Sequence, residues 1–298
     1  MKIFARGWSM GKDGPGYRRI YYLKGCNLSC KWCASPESIN FADELLFYPE
    51  RAGDEDLSYL CANGAIKGKI LDRKVCSSCS TLECRKFRHR SLEWVGENIS
   101  VPEIIREILD CRENWSSFAG VTFGGGEPSL QSAELSELLK ILKGENIHTA
   151  IESNGIPDGF TELVTNTDLV ITDLKAGSAE NFRTLTGGDL DKVIAHHRFA
   201  ARHAGELLIR IPVITTLNDS VEELTAMAEI LHELHLTRQD FTGKSLQLEL
   251  LRLHHFGQAK YAALGRHYPI ENLPPVADET ISFMENLLAK SGIIIIKS

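Results

Sequence analysis

The chain has 298 residues, 43% of them hydrophobic and 24% charged, with a formal net charge of −7. That composition builds one globular core and excludes a fibrous or disordered chain; no apolar run reaches the roughly 20 residues that cross a bilayer. The acidic balance, with no dense basic block beyond RKFRHR at 85–90, which reads as a solvated face, argues against nucleic-acid binding, and eight cysteines with no apolar signal segment predict a reducing cytoplasm rather than a disulfide framework.

RRIYYL at 18–23 predicts the first strand, and the run GCNLSCKWC follows it directly, with Cys26, Cys30 and Cys33 in a loop. A closed 4Fe-4S cluster takes four thiolates, one per iron, so a trio leaves one iron open to another ligand. An open coordination position is where metal chemistry happens, as at catalytic zinc. Structural zinc competes, but it needs a fourth Cys or His at short spacing, and none follows Cys33 before Cys61.

Residues 35–98 predict an insertion in an otherwise single domain spanning 1–298, and they hold Cys61, Cys76, Cys79 and Cys84 in the pattern C-x14-C-x2-C-x4-C. Four thiolates suit a second, closed 4Fe-4S cluster, and equally a structural zinc ion. Cys111 falls at an inward position of a helix predicted over 101–114, where it reads as a buried small hydrophobe.

From about residue 100 short apolar runs alternate with segments of helical period. The runs are VTF near 121, TAIE near 149, LVIT near 169, LLIRIPVI near 207, LQLELL near 246 and IIII near 293. Between them SVPEIIREILDC, LQSAELSELLKILK, SVEELTAMAEILHEL and ADETISFMENLLAK read as helices, several opened by Ser or Asp in cap position. Repeated βα units predict an α/β fold with a parallel sheet, curved into an open or partial barrel.

In such barrels the loops at the C-terminal strand ends build the site. The trio follows the first strand, GGGEP (Gly124–Pro128) the second, SNG (Ser153–Gly155) the third, DLK (Asp173–Lys175) the fourth, and RLHHFG (Arg252–Gly257) the sixth. Glycines permit close backbone approach, Glu127 could receive an ammonium group or hold its loop, and Asp173 and Lys175, two apart, address the same side. Ser153, Asn154 and His254 add hydrogen-bonding groups for a zwitterionic, nucleoside-bearing ligand.

The cysteine spacing, with Trp32 before the third cysteine, resembles the cluster motif of the radical S-adenosylmethionine (SAM) superfamily. DGPGYR (Asp13–Arg18), KGCNLSCKWCASPES, GGGEP, ESNG, ITDLK, LIRIPVI with Arg210, and LHHFGQAKYAALG extend the resemblance over nearly the whole chain, to the activating enzymes of glycyl radical enzymes. The resemblance implies a partial (β/α)6 barrel of TIM type with a ferredoxin-like insertion. Cys26, Cys30 and Cys33 would hold a 4Fe-4S cluster whose open iron binds SAM. Trp32, Cys33, Ala34, Gly126, Glu127, Ser153, Asn154, Asp173, Leu174, Lys175 and His254 would contact SAM, while Asp13 and Gly14 would engage the glycine loop of the partner. His254 is taken over His255 because Gly257 and Lys260 then fall in register.

By the same resemblance the insertion descends from a two-cluster one, its remaining Cys61, Cys76, Cys79 and Cys84 serving one auxiliary cluster. Flavodoxin or ferredoxin would supply an electron, SAM would be cleaved to methionine and a 5'-deoxyadenosyl radical, and a partner glycine would lose a hydrogen atom. A monomer in the cytoplasm, with no nucleic-acid or membrane partner, is expected. Two other readings remain: a radical SAM enzyme acting on a small molecule, peptide or RNA, and a non-catalytic iron-sulfur or zinc protein. The family's middle motif usually has Ser where Gly124 stands, and Pro-Tyr where Arg252 and Leu253 stand.

Overall fold

A strand not expected from the sequence comes first. β1 (Lys2–Met10) pairs antiparallel with β2 (Tyr17–Leu23), the predicted first strand. The computed structural model describes residues 1–112 and 119–297. An excursion then carries β3 (Glu44–Phe47), β4 (Ile66–Lys67), β5 (Ile70–Leu71), helix α1 (Arg73–Ser77) and β6 (Leu92–Val95), and β7 (Glu97–Asn98) returns to the edge of β1.

The βα units follow: α2 (Val101–Arg112), β8 (Gly120–Gly125), α3 (Ser132–Gly144), β9 (His148–Ser153), α4 (Phe160–Asn166), β10 (Leu169–Asp173), α5 (Ala179–Thr186), α6 (Leu190–His203), β11 (Glu206–Val213), α7 (Val221–Thr242), β12 (Gln247–Arg252), α8 (Gln258–Ala263), α9 (Asp278–Leu288) and β13 (Ile294–Ile296). The sheet runs β13-β12-β11-β10-β9-β8-β2-β1-β7, and β2 with β8 through β13 are mutually parallel. Among the described residues its two edges, β13 and β7, do not pair, so the barrel is partial. Sequential neighbours joined by helical crossovers are the ordinary outcome for parallel strands.

Alternation along the strands divides the two faces. Val121, Phe123, Ile151, Val170, Ile209 and Leu248 turn outward into one large core under the helices. Ala150, Leu169, Ile171 and Leu208 turn inward and plug the lower lumen. Two residues further along the same inward rows come Glu152, Asp173 and Arg210, so the C-terminal half of the lumen is charged. Ser178, Asp189 and Ser220 cap α5, α6 and α7 through backbone N–H groups, as their oxygens are suited to do.

The hairpin loop 11–16 closes the lumen from below. Fully buried Arg18 donates to Thr122 Oγ1 at 2.6 Å and to Pro15 O at 3.3 Å, Thr122 donates to Asp13 O at 2.7 Å, and Arg210 donates to Lys12 O.

The excursion has its own small core of Leu45, Phe47, Ala52, Leu57, Leu60, Ile66 and Leu92, against which Cys61, Cys76, Cys84 and Trp94 pack. Two antiparallel pairs, β3 with β6 and β4 with β5, frame it. At the upper end of the 35–98 range, β7 belongs to the main sheet rather than to this small unit. Cys111 is only half-buried: it shares the face of α2 that turns Ile104 and Ile108 to the core but sits in the last turn of the described helix, and residues 113–114 of the predicted helix lie outside the described residues.

Candidate active site

The trio loop is tied down on both sides. Cys26 N donates to Ile39 O at 3.0 Å, Ser29 N to Thr186 O at 2.9 Å and Lys31 N to Leu185 O at 3.1 Å, so the end of α5 and residues 38–39 fix its path. Beneath it, Lys24 is fully buried, donates to Glu37 O and lies 3.5 Å from Glu44. Burial pushes the thiols up, Cys26 and Cys30 to about 12 and Cys33 to about 11, so without iron they stay protonated and a metal must displace the proton.

These thiols open into a cavity of about 260 Å³ at the C-terminal strand ends. Cys26, Cys30, Trp32, Cys33, Ala34, Gly126, Ser153, Asn154, Asp173, Lys175 and His254 all line it. Gly125 of the GGGEP loop and Arg252 and Leu253 of RLHHFG complete the wall, together with Leu28, Ser38, Glu152, Pro212, Ile214 and Leu251, which had not been singled out. A mostly apolar wall with a few converging polar groups is the usual form of a small-ligand site.

Close backbone approach explains the glycines. A Cβ on Gly126 would sit 2.2 Å from Gly25 O, since Gly126 N and Glu127 N both donate to the first strand's loop at 2.8 Å. The missing serine also has a reason: a Cβ on Gly124 would meet the Glu152 carboxylate at 2.9 Å, so that carboxylate occupies the room.

Glu127 does not line the cavity. Fully buried, its carboxylate accepts from Ser129 N at 3.0 Å, Ser153 Oγ at 2.6 Å and Asn154 N at 2.6 Å, and so ties the GGGEP loop to the SNG turn. Of its two expected uses, this geometry gives the holding of the loop. Burial raises its pKa, against the hydrogen bonds that favour the carboxylate. Leu174 is likewise buried, with its N–H donating to Arg210 O at 2.9 Å, so it shapes the DLK loop from behind.

Lys175 donates to the Asp173 carboxylate in the cavity wall. Although burial opposes its charge, the Asp173 carboxylate holds its pKa above the ordinary lysine range. Of the adjacent histidines, His254 lines the exposed mouth, stacked on Phe256 at 4.2 Å, whereas His255 Nε2 donates to Leu273 O. Asp13 and Gly14 lie on the lumen floor, not in the cavity wall.

Arg210 binds Glu152 and Glu249 at 2.7 Å each, besides Lys12 O. Desolvation lifts the Glu152 carboxyl above its usual range, Arg210 pulls against the lift and Asp13 adds to it. Glu249, a lone acid inside the apolar run LQLELL, was the available signal for this network.

In the insertion Cys61, Cys76 and Cys84 pack against the small core, and Cys79, like them half-buried, lies outside it. Asn63 Nδ2 donates to Cys79 Sγ at 3.0 Å, and hydrogen bonding, led by Thr81, draws the Cys79 thiol down to about 7. Among the described residues no three His, Cys, Asp or Glu side chains converge on one ion-sized point. A four-iron cluster gives each thiolate its own iron and asks for no such convergence. The donor sets, three thiols at an open cavity and four beside a small core, fit that group.

Residues 20–228 match the radical SAM superfamily model. The chain belongs to the radical SAM superfamily. Among curated relatives it is 30% identical, over 94% of its length and 90% of theirs, to the 4-hydroxyphenylacetate decarboxylase activating enzyme of Clostridioides difficile (strain CD196). It is 31% identical to the isethionate sulfite-lyase activating enzyme of Desulfovibrio desulfuricans, covering 87% of this chain and 84% of the relative. The (2S)-3-sulfopropanediol dehydratase activating enzyme of Klebsiella oxytoca is also 31% identical, with coverage of 88% and 84%. Among solved structures, QueE of Escherichia coli shares the fold, with a TM-score of 0.50 and 15% identity over all of this chain and 93% of that one. This radical SAM chain is thus an enzyme of the activating group, and no helix among its described residues is long and apolar enough to cross a membrane.

Proposed function

We propose that this chain activates a glycyl radical enzyme, with Cys26, Cys30 and Cys33 holding a 4Fe-4S cluster and SAM bound in the cavity beside it. One observation carries the assignment of residues: the trio, the SNG turn, the DLK ion pair and His254 share one cavity wall. When bound, the cluster and SAM supply a one-electron cleavage that yields methionine and a 5'-deoxyadenosyl radical able to take a hydrogen atom from a partner glycine.

The protein binds, orients and excludes water. Asp173 and Lys175 offer opposite charges to a zwitterion, Ser153, Asn154 and the Gly126 backbone offer hydrogen bonds, and Trp32, Ala34 and His254 enclose the nucleoside. Glu127 and Leu174 hold the loops from behind. Asp13 and Gly14, on the floor, receive the partner's glycine loop. Cys61, Cys76, Cys79 and Cys84 hold an auxiliary 4Fe-4S cluster, flavodoxin or ferredoxin supplies the electron, and the chain works as a cytoplasmic monomer.

The test is anaerobic. Iron-reconstituted protein with dithionite should release 5'-deoxyadenosine from SAM, and one candidate glycyl radical protein should acquire its electron paramagnetic resonance (EPR) signal. No 5'-deoxyadenosine would sink the radical reading, while release with no signal on any glycyl radical protein would move the target to another substrate class. Asp13→Ala should keep SAM cleavage and lower the glycyl radical yield.

A further inference from the structure

The SNG turn carries an asparagine whose side-chain NH2 is directed at the trio loop. Asn154 is buried, its backbone N donates to Glu127, and its Oδ1 accepts from Ile156 N at 3.1 Å. That contact fixes which end of the amide is which, so Nδ2 faces the trio loop, donating to Asn27 Oδ1 at 2.9 Å and lying 3.8 Å from Cys26 Sγ. Leu28 N reaches the same sulfur at 3.4 Å.

We propose that Asn154 is a positioning residue for the trio-bound cluster, its side-chain N–H donating to the Cys26 sulfur and setting the cluster's reduction potential. Donors to a ligating sulfur stabilise the more negative, reduced state, and hydrogen bonds to sulfur are among the levers that tune such clusters. The donor cannot drift, because the turn is clamped from two sides. Glu127 holds it from the GGGEP loop, and from α6 the His196 ring Nδ1 donates to Gly155 O at 2.8 Å. Binding of a ligand against Ser153 and Asn154 would therefore bear directly on the sulfur. This gives Asn154 a task beyond contact with SAM, and it rests on the reading of Cys26, Cys30 and Cys33 as cluster ligands.

The test is an EPR-monitored redox titration of the reconstituted protein without SAM. Asn154→Asp keeps the acceptor for Ile156 N but replaces the donor, and Asn154→Ala removes the donor without adding charge. Both should shift the trio cluster's midpoint to more negative potential. A shift in Asn154→Asp alone would be an effect of charge and would overturn the proposal. His196→Ala releases one of the two clamps while keeping the Asn154 donor, so it should shift the midpoint less than Asn154→Ala does; an equal shift there would mean that packing, not the N–H···S contact, sets the potential.

Should both Asn154 variants fail to assemble the cluster, the wild-type protein decides. With asparagine labelled with ¹⁵N at the side-chain nitrogen, pulsed EPR of the reduced trio cluster should show one weakly coupled nitrogen, and its absence would overturn the proposal. Wild-type protein that forms no cluster on the trio would instead overturn the underlying reading of the cysteines.

Discussion

The two cysteine sites are built in opposite ways. The trio sits on a loop bonded to α5 and to residues 38–39, over buried Lys24, with thiols raised to about 11 or 12 by burial. The foursome sits on short 3-10 turns, two-residue strands and one five-residue helix around a seven-residue apolar core, with Cys79 down at about 7. The trio's loop is held by the barrel's own hydrogen bonds, whereas the insertion has only a seven-residue apolar core to order its cysteines. If the foursome holds a metal, as proposed, that metal would add to the insertion's stability far more than a cluster would add to the barrel's.

The largest expected effect breaks the comparison outright. Cys30→Ala should reduce 5'-deoxyadenosine release to that of cluster-free protein, and retained turnover would mean that the trio is not the reacting site. Next comes the frame around it. Glu127→Ala strands the Ser129 N, Ser153 Oγ and Asn154 N donors, so unfolding free energy should fall by about 2–4 kcal/mol, and SAM should bind roughly tenfold or more weakly. A denaturant curve that overlays wild type would show that the loops hold without the bracket.

His197 tests the same frame by pH. It is fully buried on α6, bonded to Thr172 Oγ1 at 2.9 Å, and burial drives its pKa down to about 3. The folded state therefore keeps a neutral ring while the unfolded chain takes up a proton below about 6.5. Stability present above that value should fall as the pH drops towards 3, by about 2 kcal/mol at pH 5 from this group. His197→Gln should flatten that part of the pH dependence, and an unchanged slope would assign the loss to other groups.

The smallest effect on turnover sharpens the contrast. Cys79→Ser should lower bound iron from about eight to about four per chain while dithionite-driven SAM cleavage stays close to wild type. About four irons with one zinc in the wild-type protein would make the insertion a zinc site.

Much of the barrel was legible because its signals are local. RRIYYL and the apolar runs from VTF to IIII became β2 and β8 through β13, and the motif after each strand end falls where a barrel puts its site. β1 was not legible: KIFARGWSM shows no clean alternation, since the strand pairs with β2 along its length but with β7 only at Lys2 and Ile3, leaving most of it half-exposed near the sheet's rim. Glu152 escaped notice because the sequence does not say that Arg210, 58 residues away, lies beside it. Glu127 was seen but with two uses open, and only the positions of Ser129, Ser153 and Asn154 decide between them. Cys111 looked inward by helical period and does share the face of Ile104 and Ile108, but it is only half-buried in the last described turn of its helix, which periodicity does not reveal.

The hairpin loop at 11–16 makes the lumen a cup with a floor rather than a tunnel. A cup has a single mouth. If Asp13 receives a partner's loop, as proposed, SAM would have to be seated before that loop enters and the spent nucleoside would leave only after it withdraws, so that partner residence time would gate turnover.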